Sequence, residues 1–323
     1  MPVNPTPHIA PDLTIGLVNI MAPSAMRATL AQFSAVLGLG LPGRNITLKL
    51  FTFRPVHRHK PDHSLALADY ADLDDLWSTP LDALIVTGTE PQSTSMSTEP
   101  FWPAITQLVD WAGENTISTV WSCFSAHAAA YRLDGVPRVP FGKKRSGLFA
   151  CHKVSDHSVL AHAPAQWVVP HSRHNTLAED DLVQAGYQIL ARGPRIGADS
   201  FTKRHHNSDF IFFQGHPEYG PDTLLGEYRR DIKRYLMGQQ PHYPALPEAY
   251  FPADTIAAYN TLKTLSARKT MTTALDALNQ IPATPPAASW HQPACDIYTG
   301  WLGYLHAQKS FGCRIHNEIM AAE

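Results

Sequence analysis

At 323 residues, with 44% hydrophobic residues and a formal net charge of −2, the chain is long enough for one large α/β domain with an elaborated second layer. The near-neutral charge argues against nucleic acid or an anionic membrane surface as partner, and no apolar run reaches membrane-spanning length. Cys123, Cys151, Cys295 and Cys313 lack CxxC or finger spacing, which argues against a disulfide scaffold and a structural zinc site and points to a reducing cytoplasm.

Residues 1–12 are polar and proline-rich without a signal-peptide core, and are expected to be a flexible arm. Residues 13–20 form a compact apolar run that predicts a first buried strand. Helical periodicity follows over 25–39, with Met26, Leu30, Phe33 and Leu37 on one face. Alternation of Ile46, Leu48 and Leu50 predicts a second strand over 45–53. The polar, His- and Asp-rich stretch 54–75 reads as a long excursion. A third strand is expected over 81–87, ending at Gly88, and a helix over 103–113. The stretch 117–133 then combines a β-branched and aromatic strand, 117–122, with a small-residue helix, 125–133.

The second half carries shorter strands at closer spacing, over 147–154, 166–169, 187–191, 198–202 and 210–214, with a short helix at 178–185. Helices are predicted at 222–237, 254–266, 272–280 and 296–308. The expected fold is α/β: a mostly parallel sheet flanked by helices, with added antiparallel strands and C-terminal helices. One domain is expected over 13–252, a helical elaboration packed on it over 253–310, and a tail over 311–323. Sites in such sheets form at the C-terminal strand ends, where Gly88 and Cys123 fall.

Only Cys123 and Phe124 remain for the junction between the strand 117–122 and the helix 125–133. A cysteine there meets the positive end of a helix, which favours thiolate and leaves backbone N–H groups for an oxyanion. From this stretch alone a buried core cysteine reads equally well, since the glycines of a standard nucleophile elbow are missing. The second signal is Gln214-Gly215-His216-Pro217-Glu218-Tyr219, where a strand end presents a histidine and, two residues on, a glutamate. A thiol nucleophile needs a base, and the base needs a carboxylate to fix its tautomer. Together they point to a Cys123-His216-Glu218 triad.

With those residues in place the chain resembles the homoserine O-acyltransferases of methionine biosynthesis, which share the class I glutamine amidotransferase (flavodoxin-like) fold. The resemblance extends to Leu84-Ile85-Val86-Thr87-Gly88, Phe101-Trp102-Pro103, the run 128–137, Lys144-Arg145-Ser146-Gly147, Pro170-His171-Ser172-Arg173, Glu227-Tyr228-Arg229-Arg230-Asp231, Ala288-Ser289-Trp290, and Trp301-Leu302 with Tyr304. It covers roughly 13–308.

The resemblance implies ping-pong acyl transfer from an acyl-CoA co-substrate, with no cofactor and no metal. Cys123 would carry the acyl group, His216 would act as base and Glu218 would orient it. Backbone N–H groups of Phe124 and Thr89 would form the oxyanion hole. Lys144 would sit near the acyl or CoA moiety, and Glu227 and Arg230 would read the ammonium and carboxylate of the amino-acid acceptor. Ser172 and Arg173 would line or brace the pocket. Gln92 falls where the family selects its acyl group, glycine accompanying succinyl and glutamate acetyl; glutamine inclines the reading slightly to succinyl. The first-helix segment 23–28 and the His57, His59 and His63 region depart from the family's pattern, so serine or another hydroxy amino acid stands as an alternative to homoserine. A glutamine amidohydrolase, or a non-catalytic binding member of the fold, is a further alternative. The partners expected are small molecules and, by resemblance, a second copy in a homodimer. The scattered histidines, including the pair His205 and His206, are explained by polar loops.

Overall fold

A computed structural model of the chain describes residues 12–41, 43, 45–53, 69–267 and 270–322, with side chains as far as 312. The N-terminal arm, apart from Asp12, and the histidine-rich stretch 54–68 lie outside the described residues. Ten strands form one sheet. Six are parallel neighbours: β3 (Ala71–Asp72), β2 (Ile46–Thr52), β1 (Leu13–Val18), β4 (Ala83–Val86), β5 (Ser118–Ser122) and β10 (Ser208–Phe213). The sheet continues antiparallel through β9 (Gly197–His205), β8 (Gln188–Gly193), β6 (Val139–Lys153) and β7 (Gln166–Thr176). Every residue of β4 and β5 is buried, as a strand covered on both faces requires.

Helices supply both covers. One face packs against α3 (Trp102–Asn115) and α4 (Phe124–Asp134), burying Ile105, Leu108, Val109 and the alanines 128 to 130. The other packs against α1 (Pro23–Leu37) and the long α9 (His291–Ala322). From α9 come Ile297, Tyr298, Trp301, Leu302 and Leu305, which meet Leu13, Ile15 and Leu17 of β1 and Phe33 of α1 in one cluster. The Trp301 indole N–H also donates to Ser118 Oγ at 2.9 Å. A third cluster joins α6 (Thr223–Leu236), α7 (Ala253–Ser266) and α8 (Met271–Gln280) through Tyr228, Tyr259, Leu262 and Leu278.

Three regions differ from the periodicity reading. Strands β6 and β7 run well past 147–154 and 166–169, because they pair with each other as a ribbon whose outer positions are polar. The last helix starts at His291, since Pro293 in the first turn costs no intrahelical hydrogen bond, and it runs on through the expected tail. Residues 71–75, placed by sequence in an excursion, form β3 and, with Leu76, the single-turn α2 (Leu73–Leu76). Asp72 and Asp75 close a capping box there.

Beneath the C-terminal strand ends lies a buried polar knot. Gln214, just past β10, is fully buried, and its side-chain oxygen accepts from Leu177 N–H (2.8 Å), Arg173 Nη1 (2.9 Å) and His127 Nε2 (3.1 Å). Its amide donates to Ala198 O at 2.7 Å. Arg173 also donates to Ile196 O (2.8 Å) and to His171 Nδ1 (3.1 Å). With Nδ1 accepting, a neutral His171 carries its proton on Nε2, 3.2 Å from Asp199 Oδ1. Burial pushes His171 down to about 4 and His127 down to about 3, so both are neutral. The knot ties α4, β7, β9 and the end of β10 together directly under the site.

Replacing Gln214 by leucine leaves the Leu177 N–H and His127 Nε2–H without an acceptor and removes one of the two acceptors of Arg173 Nη1. The expected cost is about 3 kcal/mol or more, read as a lower urea midpoint; a loss under about 1 kcal/mol would contradict the role given to the knot. The two histidines also set an acid limit. Their folded pKa values lie below the unfolded value of about 6.5, so their contribution is whole above that pH. It is lost as pH falls from about 6.5 towards 4, where the unfolded chain alone takes up protons. The thermal midpoint should drop across that window, and less steeply in His171→Gln.

Candidate active site

Cys123 occupies the turn from β5 into α4 with φ 50° and ψ −107°. A non-glycine residue held there costs about 1–3 kcal/mol, and the surroundings fix it. The Cys123 N–H donates to Phe213 O at 2.7 Å, and the Cys123 carbonyl accepts from His127 N–H at 3.2 Å. Ser125 Oγ donates to Thr87 O at 2.5 Å, drawing the loop after β4 against the turn. Gly88 is required by this approach: a Cβ there would stand 3.2 Å from Cys123 Cβ and 3.3 Å from Ser122 O. The sharp turn leaves Cys123 half-buried rather than in the core. The Phe124 N–H, in the first turn of α4, has no intrahelical acceptor.

His216 follows β10 on a loop whose placement comes from β7, since the His216 N–H donates to Pro170 O at 2.8 Å. Its Nδ1 lies 2.9 Å from Glu218 Oε1. Donation from Nδ1 leaves Nε2 as the ring's remaining nitrogen, and His216 lines the same cavity as Cys123. Burial alone would lower the imidazole, but the Cys123 sulfur and the Glu218 carboxylate outweigh it and hold His216 well above its ordinary range. The Tyr219 ring stacks on His216 with centroids 4.1 Å apart and planes at 18°. Ser122 Oγ adds a contact to Glu218 Oε1 at 3.4 Å.

Next to the triad is a cavity of ≈ 120 Å³ reaching from Cys123 and His216 to Lys144, Glu227 and Arg230. Glu227, on α6, is its anionic centre. One oxygen accepts from Tyr219 Oη at 2.8 Å; the other accepts from Ser172 Oγ and lies 3.5 Å from Lys144 Nζ. Burial opposes the charge, but Lys144, Ser172 and Tyr219 prevail and keep Glu227 below the usual carboxylate range. Lys144 also holds Asp231 at 2.9 Å. Arg230 does not pair with Glu227: it lies at the mouth, 3.0 Å from Asp231 Oδ1 and 45% exposed. Across the mouth, Arg234 makes a two-pronged contact with Glu90, at 2.8 and 3.0 Å.

Of the residues singled out by sequence, Cys123, His216, Phe124, Thr89, Lys144, Ser172, Arg173, Glu227 and Arg230 all border this cavity, and Glu218 stands behind His216. Gln92 does not border it: its side chain is exposed, and its backbone N–H donates to Glu99 at 3.0 Å. Sequence reasoning missed Asp231 and Arg138, both near the cavity, as well as the link through Tyr219. The i,i+4 spacing from Glu227 to Asp231 was the available signal for the first. Arg138 braces the 92–95 loop from below, donating to Ser93 O (3.2 Å) and Thr94 O (3.0 Å) and lying 3.8 Å from Glu99. Among the described residues, no three metal-binding side chains come together, and no helix is long and apolar enough to cross a membrane.

The homoserine O-succinyltransferase family model matches residues 6–311. A homoserine O-succinyltransferase of Rhodopseudomonas palustris is 46% identical over 242 residues, covering 75% of this chain and 72% of that one. One from Bradyrhizobium japonicum is 40% identical, covering 91% of this chain and 90% of that one. Among solved structures, a glutamine amidotransferase from Thermotoga maritima overlaps 83% of this chain and 96% of its own, at 12% identity and a TM-score of 0.45. Nearly the whole length is matched, and the chain belongs to the homoserine O-succinyltransferase family of acyltransferases.

Proposed function

We propose that the protein transfers a succinyl group from succinyl-CoA to the side-chain hydroxyl of L-homoserine through an acyl-enzyme on Cys123, a step of methionine biosynthesis. The observation that carries the reading is the strained Cys123 turn sharing one cavity with a His216–Glu218 pair and with Glu227, Lys144 and Arg230. The relatives, which are homoserine O-succinyltransferases, support the donor and the acceptor.

In the first half-reaction the Cys123 thiolate attacks the thioester carbonyl. The oxyanion that forms is met by the Phe124 N–H and the N–H of Thr89. Each such donor lowers the barrier by about 3 kcal/mol. The bond from carbonyl carbon to CoA sulfur breaks, and CoA leaves as a thiol with the proton from His216. Sulfur exchanges for sulfur, so the step is close to isoenergetic. In the second half-reaction His216 takes the homoserine hydroxyl proton, the oxygen attacks the Cys123 thioester, and the thiolate is regenerated. Glu227 receives the substrate ammonium, and Arg230 at the mouth receives its carboxylate. Tyr219 connects this acceptor site to the base, since it stacks on His216 and donates to Glu227.

Two outcomes test the scheme. Incubation with succinyl-CoA should add a succinyl mass to the intact protein, absent in Cys123→Ala, and initial rates against both substrates should give parallel double-reciprocal lines; release of ammonia from glutamine with no adduct would exclude it. Glu227→Gln should raise KM for homoserine by about tenfold or more, the loss of a charge-assisted contact, while the rate of Cys123 acylation stays within about twofold.

A further inference from the structure

We propose that a cationic groove on the outer face of α6 binds the phosphate groups of the thioester donor, an inference that rests on the acyl-CoA reading above. The groove has a volume of ≈ 540 Å³ and is lined by Gly226, Arg229, Arg230, Lys233 and Arg234. These positions recur three and four apart, which places them on one helix stripe. Arg230 borders both this groove and the catalytic cavity, so the two adjoin at that residue. At Gly226 a Cβ would meet nothing within 4 Å, so the space beside it is open.

The charges along this stripe are not balanced. Asp231 faces Arg230 but is shared with Lys144, and Glu90 faces Arg234. Arg229 donates to two backbone carbonyls, Leu278 O and Ile281 O, both at 3.0 Å. Lys233 is exposed and has no carboxylate partner among the described residues. Inside the cavity the cation Lys144 is already committed to Glu227 and Asp231. Positive charge in excess therefore lies outside, just where an arm leading away from Cys123 would emerge past Glu90 and Arg230.

An amino-acid acceptor has a single carboxylate and reaches no farther than the mouth. A coenzyme A thioester carries a diphosphate and a further phosphate at the far end of a flexible arm, which suits a guanidinium fork and an ammonium point charge together. The ordinary alternative is a basic last turn that merely complements the α6 dipole. That alternative predicts an effect on stability and none on the choice of donor.

The experiment compares succinyl-CoA with succinyl-pantetheine, which has the same thioester and no phosphate, by quenched-flow mass measurement of Cys123 acylation. Lys233→Glu should weaken the use of succinyl-CoA by about tenfold in kcat/KM and Lys233→Gln by about threefold, with succinyl-pantetheine unchanged in both. Raising salt to about 0.3 M should weaken succinyl-CoA use by the wild type more than by Lys233→Glu. Unfolding midpoints report whether the variants are intact. If the wild type accepts both donors and Lys233→Glu matches it, or loses equally on both, the groove is not a phosphate site and the acyl-CoA reading stands. If the wild type accepts neither, that reading falls and this inference with it.

Discussion

The site depends on one shared oxygen. Gln214 accepts at once from α4 through His127, from β7 through Arg173 and from the chain after β7 through Leu177. Cys123 is four residues before His127, and His216 is two residues after Gln214. One buried carboxamide thus fixes the distance between the proposed nucleophile and base, which come from elements far apart in sequence. An unsatisfied buried donor costs more than a satisfied one contributes, so no partner can leave the knot alone. The triad above it inherits that rigidity, which a near-attack geometry requires.

A second hub, Glu227, stands on the open side. Its two oxygens are divided between Tyr219 on one and Ser172 with Lys144 on the other. With two neutral donors and one cation, the carboxylate stays charged in spite of its burial and keeps strength for a ligand ammonium. The Tyr219 ring passes any shift of Glu227 to the face of His216. In the proposed scheme, that ring joins binding of the acceptor to proton removal from it.

Local periodicity made much of this architecture legible. Short apolar runs alternating with helices foretold the parallel half of the sheet, because strands buried on both faces have no other composition. Cys123 with His216 and Glu218 was legible because an elbow and a His-x-Glu strand end are local patterns. The length of β6 and β7 was hidden, since Lys143, Lys144 and Arg145 on an outer ribbon break the apolar alternation that marks a strand. The position of Gln92 was equally hidden: counting along the loop from Gly88 took no account of Glu99 and Arg138, which fold the 92–95 stretch away from the cavity. The Gln214 knot joins residues up to 87 positions apart, and no spacing rule announces such a junction.

The packing of α9 has a consequence for synthesis. Leu13, Ile15 and Leu17 of the first strand share their cluster with Tyr298, Trp301 and Leu305 of the last helix, and Trp301 is also bonded to Ser118 in the sheet centre. A ribosome that has delivered the whole sheet, and with it Cys123, His216 and Glu218, has still left one apolar face of that sheet with α1 but without α9. The nascent chain therefore carries these residues on an unfinished domain until the final helix clears the exit tunnel, and folding of this enzyme is completed only after translation of its C-terminal segment.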